Sequence, residues 1–97
     1  MRNGLWGTRR IVPEWWIDLA AKPSQDLNPE YGYGFWGNAS GTMWPALPRD
    51  GFAMRGFDSN RCAILPSLDL VATRLGYGPP HLDDEYLLGP IVEAMLD

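Results

Sequence analysis

Reactive side chains are sparse in this chain, and the densest group of them is His81, Asp83, Asp84 and Glu85. An imidazole beside carboxylates is a set of metal-ligand types, or a general base with acids to orient it, which would make a small enzyme of a new kind. The same residues also suit a helix start, where Asp and Glu satisfy free amides and face the positive end of the dipole. A lone histidine offers no recognisable zinc spacing, so a capped helix start is the expectation and no metal or other cofactor is assigned. Cys62 is the single cysteine; it permits no internal disulfide and no ligand pair, and its place in a strand suits a buried, inert thiol. Asn38-Ala39-Ser40 fits the glycosylation pattern, which at three positions arises readily by chance. No Gly-x-Ser-x-Gly elbow, phosphate loop or dinucleotide fingerprint occurs. The segment Gly51-Phe-Ala-Met-Arg-Gly-Phe-Asp-Ser-Asn-Arg61 carries more information. It reads as a strand, a tight turn through Asp58, Ser59 and Asn60, and a second strand that passes through Pro66 to Asp69 into a third. A hairpin of this kind makes a wall, and such walls border active sites.

Composition and pattern indicate what surrounds this hairpin. Ninety-seven residues make one small domain with a modest core and are too few for two. With 45% hydrophobic and 21% charged residues the chain is not compositionally disordered. Its 11 glycines and 9 prolines impose many turns and exclude a large helical bundle. A net charge of −4 and no basic run longer than Arg9-Arg10 leave no face to neutralise phosphates, so nucleic acid is set aside as a partner. No apolar run is long enough for a membrane span, and Met1-Arg-Asn-Gly-Leu-Trp-Gly7 has no signal-like apolar core.

Along the chain, Asn3-Gly4 marks a turn in an extended connector over residues 1 to 12. Pro13 and Glu14 suit the first turn of a short helix to about Ala21, with Trp16, Leu19 and Ala20 on one face and Trp15 at its flank. Tyr31-Gly-Tyr-Gly-Phe-Trp36 alternates ring and glycine. That pattern suits a strand with rings on one face and another backbone pressed close on the other. Residues 37 to 51 have no apolar period and form a loop, long for a compact domain. Trp44 in that loop either covers an apolar substrate group or packs back on the sheet. Strands are expected at about 52–57, 61–65 and 70–75. Cys62 and Ile64 lie on one face of the second, opposite Arg61, Ala63 and Leu65. Both sheet faces carry apolar side chains, so both call for cover. A helix starting at Asp83 to Glu85 supplies one cover, with Gly89-Pro90 breaking it before a second stripe of Ile91, Val92, Met95 and Leu96.

In order and spacing, four blocks resemble the C-terminal end of the serine β-lactamase and penicillin-binding-protein-like hydrolases, in particular the branch holding class C β-lactamases, esterases and nylon-oligomer hydrolases. These blocks are Arg10-Ile-Val-Pro-Glu-Trp-Trp16, Tyr31 to Trp36, Phe52-Ala-Met-Arg-Gly-Phe57 and Ile64-Leu-Pro-Ser-Leu-Asp-Leu-Val71. They span most of residues 5 to 76. The resemblance implies a partial β-lactamase/transpeptidase-like fold: α+β, an antiparallel sheet of three to four strands with a short N-terminal helix and a C-terminal helix. Residues 1–97 would be the C-terminal part of a larger domain.

In that family the triplet aligned with Met54-Arg55-Gly56 is Lys-Thr-Gly or His-Ser-Gly, with variants. Its glycine lets substrate approach, and the following amide donates to the oxyanion. The resemblance therefore implies Gly56 as the close-approach position, the Phe57 amide as oxyanion donor, Met54 and Arg55 at the site edge, and Arg55 as a fork for a substrate carboxylate. Trp44, Trp36 and Tyr33 are the candidate pocket lining. Met54, standing where the family has Lys or His, turns the expectation away from β-lactam turnover and towards esters and amides.

The family's nucleophile is a Ser-x-x-Lys serine, which needs a neighbouring base. Here the one lysine, Lys22, follows Leu19 by three, and Tyr31, Tyr33, Tyr77 and Tyr86 are followed two residues later by Tyr, Phe, Pro and Leu, so no Tyr-x-Asn occurs. The resemblance thus implies a chain that is inactive alone, whose partner is the N-terminal part of the same hydrolase and whose full-length enzyme acts on a small ester or amide in the bacterial cytoplasm or periplasm. An alternative is a free-standing binding or interaction module that kept the fold and lost the chemistry. A third is an enzyme built on His81, whose hydrolysis would survive Ser59→Ala and vanish with His81→Ala.

Overall fold

The computed structural model describes residues 2–77 and 83–96. It has an α+β architecture of two helices with a two-stranded and a four-stranded antiparallel sheet. At the N-terminus, β1 (Leu5–Trp6) and β2 (Arg9–Arg10) form a small ribbon. Asn3 and Gly4 before it both have positive φ, as a turn dipeptide should.

Helix α1 (Glu14–Ala20) begins one residue later than the sequence suggests, because Pro13 takes the cap position with an extended backbone (ψ 138°). Glu14 opens its first turn. Its apolar face is only partly used: Ala20 is buried, while Trp15, Trp16 and Leu19 remain exposed. The end of the helix is held by glycines. A Cβ on Gly32 would lie 2.4 Å from the Ala20 carbonyl oxygen and 2.5 Å from that of Lys22, and one on Gly37 would lie 2.3 Å from that of Ala21. Both positions therefore require glycine.

This docking changes the expected strand at 31–36. Gly34 turns at φ +87°, the Gly32 N–H donates to the Phe35 carbonyl at 2.8 Å, and Tyr31 bridges back to Trp36. The segment is a tight reversal, and only β3 (Trp36–Gly37) joins the sheet. The ring and glycine alternation marked close backbone approach, as expected, together with a turn that the strand reading missed.

The large sheet is a meander, β3–β4–β5–β6, with β4 at Phe52–Arg55, β5 at Arg61–Leu65 and β6 at Leu70–Arg74. Register sets its two faces. Trp36 lies opposite Ala53, Ala53 opposite Ala63, and Ala63 opposite Ala72, so these share one side with Arg55, Arg61, Leu65, Leu70 and Arg74. Helix α2 (Asp84–Leu96) covers that side, burying Leu88 and Val92 against Ala53, Ala63 and Leu65. Phe52, Met54, Cys62, Ile64, Val71 and Thr73 point the other way. Phe35 meets Phe52 edge-on at one corner, but Met54 and Val71 stay 49% and 48% exposed. The second cover that the sequence called for is not supplied by the described residues.

Gly89-Pro90 does not break α2. Proline removes one backbone donor, yet Leu88 and Val92, one turn apart on either side of it, are both anchored in the core. Of the expected second stripe only Val92 is buried; Met95 and Leu96 are exposed.

The long loop is ordered by one side chain. The fully buried Asn38 amide donates to the carbonyls of Trp44 (2.9 Å), Leu47 (3.3 Å) and Pro48 (3.0 Å), and its oxygen accepts the Trp44 N–H at 2.8 Å. Its own N–H reaches the Gly51 carbonyl at 2.8 Å, tying the loop's two ends together. This leaves Asn38 with no amide for a glycan. Replacing it by Ala strands several buried polar groups at once, each costing about 1–3 kcal/mol. Urea unfolding of Asn38→Ala should show a loss of about 3–5 kcal/mol, allowing for some water entry, whereas Ser40→Ala, which destroys the same sequon, should stay within about 0.5 kcal/mol of the parent. Equal, small losses would sink the hub.

Candidate functional site

The wall expected to border a site ends at Gly56, just past β4. Its N–H donates to the Asn60 carbonyl at 2.9 Å, closing the β4–β5 hairpin. Asp58 and Ser59 both adopt left-handed backbone (φ 57° and 62°), uncommon outside glycine, though aspartate takes it more readily than most. Arg74, reaching across from β6, holds the turn there: its Nη1 donates to the Asp58 carbonyl at 2.8 Å and to that of Ser59 at 3.1 Å. Asn60 adds a second brace, donating from Nδ2 to the Phe57 carbonyl at 2.7 Å and accepting the Gly76 N–H at 2.8 Å. Turn chemistry at Asn60 is visible in the sequence. Arg74 has no such signal, since nothing local says where a strand arginine will reach.

The residues implied as site components divide among several places. Met54 and Gly56 come together, with Cys62, Thr73 and Leu75, along a shallow groove of about 270 Å³ on the open face. Phe57 stands beyond it, 86% exposed. Arg55 also touches the groove, but its side chain belongs to the helix-covered face. There its Nη1 lies 3.9 Å from Glu30 Oε2 and its guanidinium sits 4.8 Å above the Trp36 ring. Trp36 is further packed by Tyr31, with ring centroids 5.0 Å apart. Arg55 is thus committed to Glu30 and Trp36 and points away from the face that carries Met54. Tyr33 is elsewhere, its ring 5.9 Å from that of Trp16. Trp44 leaves the surface altogether: it is 1% exposed in the core, and its Nε1 donates to Asp84 Oδ2 at 3.2 Å. Packing back on the sheet, the second of its two readings, is what the tryptophan does.

The acidic group at the start of α2 is structural where it is described. Asp83 accepts the Glu85 N–H at 2.9 Å as a cap, Asp84 bridges Trp44 and Arg61 Nε (3.1 Å), and Glu85 accepts the Ala46 N–H at 2.8 Å. His81 lies outside the described residues. Among the described residues no group of three His, Cys, Asp or Glu side chains is placed to hold a metal ion. None of their helices is long and apolar enough to cross a membrane. Lys22 follows α1 and lines a different cavity from the groove. Cys62 Sγ accepts the Thr73 hydroxyl at 3.5 Å. The groove thus offers largely apolar walls, and the described residues around it supply no nucleophile with a base beside it. Set against models of protein families, curated proteins and solved structures, the chain matches none.

One feature of the groove stands apart from the chain's own folding needs. Gly56 has φ −124°, which any residue adopts, and a Cβ there would find only Asn60, at an ordinary 3.6 Å. Gly51 differs, because its Cβ would fall 2.7 Å from Leu65 Cδ2 and 3.1 Å from Trp44 Cζ3 inside the core. Gly56→Ala should therefore keep or raise the melting free energy of this chain, by about 0.4–1 kcal/mol, while Gly51→Ala should lower it by about 1–3 kcal/mol through overpacking. Calorimetry of the two variants checks this, and a destabilised Gly56→Ala would mean that the fold itself demands the glycine.

Proposed function

We propose that this chain is the C-terminal part of a serine hydrolase that transfers the acyl group of an ester or amide to water through an acyl-enzyme. The observation that carries the reading is Gly56, a glycine not required by the chain's own backbone or packing, at the end of an open groove. A missing side chain there makes sense when something outside this chain approaches. The open face that leaves Met54 and Val71 exposed supports it too, since burying that face is what the rest of such a domain would do.

In this reading the serine and its base stand on the N-terminal part of the same hydrolase. The serine oxygen bonds to the substrate carbonyl carbon, its proton passing to the base. The tetrahedral oxyanion takes a hydrogen bond from the Phe57 N–H, and the leaving group departs with the proton. Water then repeats the attack and frees the serine. One such donor is worth about 2.7–4 kcal/mol of barrier. Met54 and the groove form an apolar wall for the acyl group, which fits an ester or amide better than a substrate needing a cation at that position. In this reading Arg55, drawn to Glu30 and the Trp36 ring, contributes position to the strand end.

A free-standing binding module is the second reading. It is favoured by the Trp44–Asp84–Arg61 contacts, which join loop, sheet and α2 inside this one chain.

Reading the coding sequence upstream of Met1 separates the two. The hydrolase reading expects an open frame with Ser-x-x-Lys and a later Tyr motif, and a longer protein that reacts with a fluorophosphonate probe while the 97-residue chain does not. In that longer enzyme Gly56→Val should lower kcat on a p-nitrophenyl ester by about 10²-fold or more. A stop codon immediately upstream, or full activity in Gly56→Val, would overturn this reading, and the stop codon would leave the binding module in its place.

A further inference from the structure

A cavity of about 400 Å³ lies between the end of α1 and the start of β4. Phe52, four residues before Gly56, helps to line it, so it sits about 13 Å along the strand from the proposed catalytic wall. Its volume falls in the range of small-molecule sites. Ile17, Ala21, Phe52 and Pro66 give it apolar walls, and the Phe52 ring is steadied by Phe35 at 5.2 Å.

Two cations, Lys22 and Arg49, stand on the same cavity. Among the described residues neither side chain has a hydrogen-bond or ion-pair partner. Arg49 is nonetheless positioned. Its guanidinium lies directly over Gly41, where a Cβ would fall 1.0 Å from Nη1, and Gly41 has φ +75°. Glycine at 41 is thus what makes room for the arginine. Two acids share the lining, Asp18 and Asp50. Asp50 is already engaged: its oxygens accept the Ser67 N–H at 2.8 Å and the Ser67 hydroxyl at 3.0 Å. Asp18 has no such bonds among the described residues. Two cations and two carboxylates leave the lining without net charge, so the case for an anion rests on the two cations being without partners, and that balance suits a monoanion and disfavours a dianion.

We infer that this cavity binds a small organic carboxylate with an apolar body, its carboxylate on the Arg49 fork beside Lys22 and its body against Phe52 and Pro66. A planar guanidinium pairs two N–H groups with two carboxylate oxygens. The apolar walls reward a ring or alkyl chain behind it. The inference is independent of the hydrolase reading, because it uses neither Gly56 nor the groove.

Saturation-transfer NMR on the 97-residue chain tests it, with 3-phenylpropanoate, its neutral isostere 3-phenylpropan-1-ol, and phenyl phosphate as probes. The acid should bind saturably below about 10 mM, and the alcohol and the phosphate at least about tenfold more weakly. Arg49→Gln should weaken the acid about tenfold and leave the alcohol unchanged, because it removes the fork and keeps the stem. Ala39→Phe, which fills the cavity from its lining, should abolish binding of both. Both variants alter exposed positions, and their amide spectra report whether they remain folded. The site is overturned if the acid does not saturate, if the alcohol or phosphate binds as tightly, or if folded Arg49→Gln binds the acid like the parent.

Discussion

The Asn38 side chain is the constraint on which most of this structure rests. Fourteen positions of turn-forming sequence separate β3 from β4, and nothing periodic in them favours one path over another. A buried carboxamide has two donors and a two-lone-pair acceptor, and here it spends them on Trp44, Leu47 and Pro48. Those contacts turn the loop inward and deliver Trp44 and Leu47 to the core. From there the coupling runs outward. The Trp44 indole meets Asp84, Asp84 meets Arg61, and so the loop, the start of α2 and the middle strand share one polar line through the core edge. Broken at one end, the line would leave buried groups unpaired at the other, which is why such networks act together.

The second organising feature is a row of like charges. Arg55, Arg61 and Arg74 face one another across β4, β5 and β6, an arrangement that repels when the charges are left to themselves. Each has found separate company. Arg55 lies between Glu30 and the Trp36 ring, Arg61 on Asp84, and Arg74 among the carbonyls of the β4–β5 turn and of Gly76 and Tyr77. The row therefore builds the end of the sheet where Gly56 lies: one arginine steadies the strand, one anchors the helix, and one holds two left-handed residues in a turn. The groove above it is left open and apolar, with its polar support all on the other side.

That asymmetry bears on both functional readings. A sheet with one face closed by Trp44, Leu88 and Val92 and the other exposing Met54 and Val71 is complete as a folding unit on one side only. The carboxylate cavity lies at the far end of the same strand, walled in part by α1, so the two ends of β4 differ in character: an apolar wall at Gly56, unpaired cations at Phe52.

Much of the secondary structure was legible because it is written locally. The β5 strand falls on Arg61–Leu65 as its alternation says, β4 and β6 end a residue or two early where Gly56 and Leu75 leave the sheet, and α1 follows its proline and glutamate. The 31–36 segment and the Gly89-Pro90 position misled for opposite reasons. In the first, glycines that look like gaps in a strand are sites where helix carbonyls press in and the chain reverses. In the second, a local helix breaker is overruled by Leu88 and Val92 packing on either side of it. The α+β class, the hairpins and the presence of apolar side chains on both sheet faces could be read from the chain alone, since these depend on residue type and short-range period. Long-range packing settled that Asn38 is a hub and not a surface asparagine, that Trp44 is core and not lid, that the Arg55 side chain lies on the helix-covered face, and that Lys22 and Arg49 line one cavity. Each of these joins residues far apart in the chain, and no local pattern of side chains records where a long loop will close.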